Sequence, residues 1–361
     1  MKEINYMEPA FDSAEIDAVD AYMRSGGWLT EFKKTREFER SIADFIGATN
    51  CSIMCNGTMT LVAALMACGI GQGDEVIVPD FTMSATSHAV VMVGAAPVFV
   101  DVEPNTLCID FDLMQRAVTS KTKAVMLVEL NGRYPEQFQK IIDYCESERI
   151  WLIEDAAQAL GSNFQGKSLG TFGNIGSFSF SMPKIITTGQ GGAVITDDEA
   201  LFEKMLRIRD FGREKTGSDH YVMIGGNFKF TDMQAVVGIE QMKKLPSRVE
   251  RKKEMGRLYD KYLDGMDEIQ TVYNNYDDTA PCFIEVLCRK DKQGLMKYLK
   301  DNGVNTREFY PPLHSEPAYS IKDRSYPNTE EISSQGFWLP SSVKLSDEDI
   351  YYICNLIKNY Y

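Results

Sequence analysis

The sequence predicts an α/β protein: a large domain with a mostly parallel seven-stranded sheet flanked by helices, followed by a smaller C-terminal α+β domain. Three observations carry the prediction. Seven short β-branched or apolar runs recur between residues 51 and 197, segments of helical length separate most of them, and the pattern resets after residue 265. Near-continuous apolar strands are what a sheet buried on both faces requires. The division is expected at 1–250 and 251–361, with the N-terminal helix a candidate to pack on the smaller domain.

Taken in order, Asp12-Ser13-Ala14-Glu15 is the acidic version of a capping box, and Ile16, Val19, Ala21 and Tyr22 follow on a helical period. That helix should end near Gly26-Gly27, and a second covers 35–45. The strand runs are CSIMC (51–55), EVIVP (75–79), PVFVDV (97–102), AVMLVEL (124–130), IWLIED (150–155), SFSFS (177–181) and GAVITD (192–197). Helical segments at 59–67, 85–93, 112–118 and 136–148 lie between them. The last two runs have no helix between them, which predicts an antiparallel strand at the end of the sheet. Residues 199–211 read as a helix, and 232–265 as a long helical stretch broken at Pro246. The small domain is expected from the apolar run 282–288 and helices at 290–302 and 347–358.

Composition narrows the function. Against 38 Lys+Arg stand 52 Asp+Glu, a net charge of −14 over 361 residues, which argues against a nonspecific nucleic-acid binder or anionic-membrane binder. Any phosphate-bearing ligand must be met locally. The eight Cys, at 51, 55, 68, 108, 145, 282, 288 and 354, form no CxxC pair and no Cys/His cluster at metal-ligand spacing, so no metal site is expected and the thiols read as buried and reduced. With no apolar signal-like stretch near residue 1 and no apolar run of about 18 residues, the expectation is a cytoplasmic protein.

Three local features point to chemistry. Asn56-Gly57-Thr58-Met59 joins a strand to a helix, so free backbone N–H groups and the Thr58 hydroxyl mark a phosphate site, although the same residues also make an ordinary turn and cap. Asp155 closes a very apolar strand, where acids in open α/β sheets face the ligand crevice; it equally reads as a helix N-cap. Lys184 lies between a strand and the Gly-rich 187–192 turn, with no other charge from Asn174 to Ala193. Those surroundings favour a desolvated amine suited to Schiff-base chemistry over a solvated surface lysine. A phosphate cradle, a strand-end carboxylate and a desolvated lysine are together the contacts pyridoxal 5'-phosphate demands.

With GGWLT (26–30), GDEVIVP (73–79), IEDAAQALGS (153–162), FGNIGSFSFSMPKIITTGQGGAVITDD (172–198), NFKFTDMQAVVG (227–238) and TREFYPPLHSEPAY (306–319), the chain resembles the DegT/DnrJ/EryC1/StrS family of pyridoxal-phosphate sugar aminotransferases, of fold type I. The resemblance implies that Lys184 is the Schiff-base lysine and proton carrier, that Asp155 partners the pyridine nitrogen, and that Gln158 lies on the cofactor's 3-hydroxyl side. It implies Gly57, Thr58, Met59 and Ser179 as phosphate ligands, and Asn227 as a residue reaching the neighbouring subunit's phosphate, hence a homodimer with shared active sites. Trp28, Tyr310 and His314 match positions lining the sugar pocket; each also reads as a core or turn residue.

The chain departs from the family at three points. Met83 stands where an aromatic ring usually stacks on the cofactor, the usual Tyr-Gly-His/Gln-Pro loop is Asn131-Gly132-Arg133-Tyr134-Pro135, and Gln137 replaces an acid. Arg133 reads either as a fork for an anionic substrate or as a loop arginine. The implied function is transfer of an amino group from L-glutamate to the ketone of a nucleotide-linked keto-deoxy sugar, at C4 or C3, for surface polysaccharide or related amino sugars. A smaller phosphorylated ketone or a non-nucleotide keto sugar is the alternative acceptor, and a non-catalytic cofactor-binding regulator a remote one. A dehydratase branch carries His in place of the lysine, and Lys184 argues against it.

Overall fold

The computed structural model describes residues 3–319, 321 and 324–361. Its large sheet comprises β1 (Asn50–Met54), β2 (Glu75–Pro79), β3 (Ala96–Val100), β4 (Thr122–Val128), β5 (Trp151–Asp155) and, after a hairpin of β6 (Asn163–Phe164) and β7 (Lys167–Ser168), β8 (Ile175–Ser179) and β9 (Gly192–Thr196). Strand order is β1-β9-β8-β5-β4-β2-β3. Strands from β3 across to β8 run parallel, whereas β9 is antiparallel to both neighbours. The expected antiparallel strand is therefore present but second from the edge, because β1 lies outside it.

Alternation along each strand explains the apolar runs. Ile53, Ile77, Val125 and Leu127 belong to one buried cluster, and their neighbours Met54, Val76, Val78, Ala124 and Met126 to another on the opposite face. The first face is covered by α2 (Lys33–Ile46), the second by α3 (Gly57–Ala67) and α4 (Ala85–Met92). On the α2 face, α5 (Phe111–Ala117) and α6 (Phe138–Glu148) complete the layer; α7 (Glu199–Arg209) packs beside α3. α1 (Ser13–Arg24) starts at the expected capping box, with Asp12 and Glu15 each accepting the other's backbone N–H region, and Glu15 reaches Gln241 and Lys244.

Those two partners lie on α8 (Asp232–Leu263), which runs unbroken through Pro246. The sequence expectation of a break fails because packing outweighs one missing donor: Met242, Leu245 and Val249 are buried around the exposed proline and hold its turn against the sheet domain. Further along, Met255, Tyr259 and Leu263 join a third cluster. That cluster packs a four-stranded sheet of β10 (Ile269–Thr271), β11 (Ile284–Cys288), β12 (Arg307–Glu308) and β13 (Gly336–Leu339), ordered β10-β11-β13-β12, with α9 (Lys292–Asp301), α10 (Pro327–Gln335) and α11 (Asp347–Tyr360) alongside. A fourth cluster, including Phe81, Val128, Leu130, Cys282, Phe283, Phe309 and Trp338, joins the carboxyl ends of the large sheet to this smaller one. Among the described residues no helix is long and apolar enough to cross a membrane.

Candidate active site

Strand register builds the site. Val128 pairs with Asp155, Asp155 with Ser177, and both Met54 and Ser179 with Gly192, so the carboxyl ends of β4, β5, β8 and β1 come level. Ligands bind at such ends in open α/β sheets. Here a cavity of about 450 Å³ opens over them, lined by residues of the large sheet and by Phe283, Arg307, Tyr310 and Glu316 from the smaller one and its flanks. Small-molecule sites span roughly 300–1,000 Å³.

At one end stands the start of α3. Asn56 caps the helix by accepting the Met59 N–H at 2.9 Å, which leaves the Gly57 and Thr58 N–H groups without intrahelical partners. Glycine leaves room at 57: a Cβ there would lie 3.0 Å from Ser179 Cβ and 3.3 Å from its Oγ, so that Ser179 would have to give by a few tenths of an ångström. Gly192 is tighter still, since its Cβ would come within 2.7 Å of Asn56 C and Gly57 N. Two bare backbones thus let β9 and the α3 terminus meet, and set the Thr58, Ser179 and Ser181 hydroxyls around one concave end. That donor set, on a helix N-terminus, suits a phosphate.

Asp155 lies further in, 6% exposed. Its Oδ2 accepts the Thr86 hydroxyl at 2.7 Å and its Oδ1 the Ala157 N–H at 3.3 Å. Burial raises its pKa, opposed by those two hydrogen bonds and by the charge of Lys184. A buried acid facing a cavity in this state fits a ligand that brings its own positive charge. Lys184 lines the same cavity, half-buried, its Nζ 6.0 Å from the centre of the Phe283 ring. Gln158 is held from both sides, its Oε1 accepting the Asn131 N–H at 2.9 Å and its Nε2 donating to Tyr310 Oη at 3.4 Å. Phosphate cradle, acid and amine therefore match pyridoxal phosphate in size and in donor chemistry.

Of the residues singled out in the sequence, Gly57, Thr58, Met83, Asp155, Gln158, Ser179, Lys184 and Tyr310 share this cavity. The others lie outside its lining. Met59 donates its N–H to the cap and packs into the core beneath α3. Asn227 is exposed and bridges Asp210 through the backbone, and Trp28 is 66% exposed beside Phe32, at 5.6 Å between ring centres. His314 turns away to Asp80, its Nδ1 2.6 Å from Oδ2. Arg133 is 4% exposed: its Nη1 pairs with Glu285 Oε2 at 2.5 Å and its Nε donates to the Thr106 carbonyl at 2.6 Å. That guanidinium ties the 131–135 loop to β11.

Sequence reasoning missed Thr82, Thr86 and Arg307. Arg307 lies in the 306–319 segment, and its guanidinium reaches the cavity rim while stacked 5.4 Å above Trp338 and 5.8 Å from Tyr6. The threonines carried no signal of their own, because a lone hydroxyl in an apolar segment is legible only once its acceptor is known. Lys252 was missed as well. It is fully buried, donates to the Cys282 and Ser341 carbonyls, and has its pKa lowered by burial to about 8.

Comparison with known proteins agrees with this geometry. The profile of the DegT/DnrJ/EryC1/StrS aminotransferase family matches residues 9–358. The chain is 32% identical to the GDP-perosamine synthase of Escherichia coli O157:H7 over 367 residues, covering 100% of this chain and 99% of that one. It is 30% identical to the dTDP-4-dehydro-2,3,6-trideoxy-D-glucose 4-aminotransferase of Saccharopolyspora spinosa, covering 96% and 94%. Among solved structures, the aminotransferase TlmJ of Streptoalloteichus hindustanus superposes with a TM-score of 0.93 at 29% identity, covering 99% and 98%. The chain belongs to the DegT/DnrJ/EryC1/StrS aminotransferase family and is a pyridoxal-phosphate-dependent aminotransferase of fold type I.

Proposed function

We propose that this aminotransferase moves an amino group from L-glutamate to the ketone of a nucleotide-linked keto-deoxy sugar, in the making of surface polysaccharide or a related amino sugar. The observation that carries the reading is the convergence of Lys184, Asp155 and the α3 terminus on one cavity, in a chain whose relatives at full coverage include a GDP-perosamine synthase. When bound, pyridoxal phosphate supplies a carbonyl carbon that captures an amine and a ring that delocalises the electron pair left by proton removal.

The chain's residues do the rest. The Gly57 and Thr58 N–H groups and the Thr58 and Ser179 hydroxyls hold the phosphate at the helix terminus. Asp155 keeps a proton on the ring nitrogen, an opposite charge that this dry carboxylate favours. Gln158 and Tyr310, hydrogen-bonded to each other on the cavity wall, would hold the 3-hydroxyl side of the ring. The Lys184 amine would take the proton from the donor's α-carbon and hand it to the carbon on the far side of the donor nitrogen, after which water would release 2-oxoglutarate; the same moves in reverse would place the amine on the keto sugar. Met83, half exposed on the cavity wall, would offer its thioether to the ring face, with less area than an aromatic side chain.

Both substrates are anions, and the protein is acidic. With Arg133 engaged by Glu285, Arg307 is the rim cation available to meet them. A homodimer with shared sites accounts for the exposed apolar side chains Trp28, Leu29 and Phe32, and Phe211, Tyr221 and Ile224 in the segment before Asn227. The eight free thiols suit a cytoplasmic setting. The two separate sheets support a division at 1–250 and 251–361, with its boundary within α8. The test is an acceptor panel: L-glutamate should yield more than one equivalent of 2-oxoglutarate per site only with a nucleotide-linked keto sugar. Turnover confined to small phosphorylated ketones would overturn the reading, as a fully active monomer would overturn the shared site.

A further inference from the structure

We propose that Thr86, supported by Thr82, is a positioning residue that sets the Asp155 carboxylate for its contact with the cofactor's ring nitrogen. The inference rests on the assignment of Asp155 made above.

Thr86 sits in the first turn of α4 and is completely buried, and Thr82, just before the helix, is 2% exposed. Three oxygens surround Thr86 Oγ1: Asp155 Oδ2 at 2.7 Å, Thr82 Oγ1 at 3.2 Å and the Met83 carbonyl at 3.3 Å. A hydroxyl has one hydrogen to give. The carboxylate, nearest and charged, takes it, so the Thr82 hydroxyl donates in turn to Thr86. Two hydroxyl dipoles then act in series on one carboxylate oxygen, each strengthening the other in a site of low dielectric.

Without these two hydroxyls the Asp155 carboxylate would keep, among the described residues, only the longer bond from the Ala157 N–H. Rotation about its last torsion is soft, and burial alone disfavours its charge. The charged group acting on it is Lys184, across the cavity. Thr86 itself does not line that cavity. It reaches the cofactor only through Asp155, whereas Thr82 also borders the site. A single short turn, from Thr82 to Thr86, thereby fixes both the Met83 wall and the acid behind it.

The test measures equilibrium binding of pyridoxal phosphate to the apo-protein by absorbance, in Thr86→Val, Thr86→Ser and Thr82→Val, and with Thr86→Val added to Asp155→Ala. Loss of a charge-assisted hydrogen bond should weaken binding about tenfold to a hundredfold in Thr86→Val. Thr86→Ser, which keeps the hydroxyl, should stay within about threefold, and Thr82→Val should fall between them. In Asp155→Ala the Thr86→Val change should cost less than about twofold, because the partner is already gone. Thr86→Val binding like wild type, or an equal loss in the Asp155→Ala background, overturns the proposal. Should Thr86→Val not fold, a Thr86→Ser variant that loses affinity as Asp155→Ala does would overturn it equally. A wild-type protein that binds no pyridoxal phosphate removes the functional reading and this assignment together.

Discussion

Arg133→Met is expected to destabilise the protein severely, through Glu285. The Arg133 guanidinium is buried against the Glu285 carboxylate, whose remaining partners are neutral: Asn131 Nδ2 at 2.9 Å and Trp338 Nε1 at 3.4 Å. Removing the arginine strands a carboxylate in the seam between the two sheets and also frees the Thr106 carbonyl. Breaking one side of such a pair costs about 3–5 kcal/mol, more than the pair contributes over an apolar replacement. With an unfolding entropy of about 2.1 cal/mol/K per residue over 361 residues, the melting temperature should fall by about 4–7 °C if the chain melts in one transition. Removing the stranded charge as well, in Arg133→Met/Glu285→Gln, should restore part of the loss. Calorimetry of the single and double variants measures both effects. A shift below about 1 °C in Arg133→Met, or a double variant less stable than the single, would refute the reasoning.

Other expectations follow from particular contacts. Glu103 is buried, and burial raises its pKa from the ordinary 4.5 to about 7 against hydrogen bonds from Thr106 and Glu136. A raised carboxyl pKa gives a contribution present in full below pH 4.5 and lost as pH rises through about 7; melting temperatures should therefore fall less between pH 5 and 7 in Glu103→Gln than in wild type, and parallel curves would contradict this. Gly192→Ala places a methyl 2.7 Å from the Asn56 and Gly57 backbone, and should weaken pyridoxal phosphate binding at least about tenfold as the α3 terminus shifts; binding within twofold would mean the strand yields instead. Pro246→Ala restores a helix donor at an exposed position of α8 and should raise stability by up to about 3 kcal/mol, seen as a higher denaturant midpoint.

Much of the fold was legible because burial on both faces writes a strand as an unbroken apolar run. EVIVP and IWLIED need no neighbour to be recognised, and the Asp12 capping box forms where its residues stand. What escaped depends on distant partners. Pro246 signals a break only if local propensity decides, yet Leu245 and Val249 anchor the helix on either side. The edge position of β1 follows from pairing across 140 residues, which periodicity does not record. In the site, Lys184, Asp155 and Gly57 were readable from their place at strand ends. Thr86 was not, since its meaning lies in a carboxylate 69 positions later. Arg133 was left open between two roles, and the deciding partner, Glu285, is on a strand of the other sheet.

The central claim is that Lys184 carries the cofactor. Borohydride reduction of the pyridoxal-phosphate-loaded protein, followed by peptide mass analysis, tests it directly. A stoichiometric label is expected on the peptide containing Lys184 and none in Lys184→Ala; a label on another lysine, such as buried Lys252, or no label at all, would show that Lys184 does not hold the cofactor.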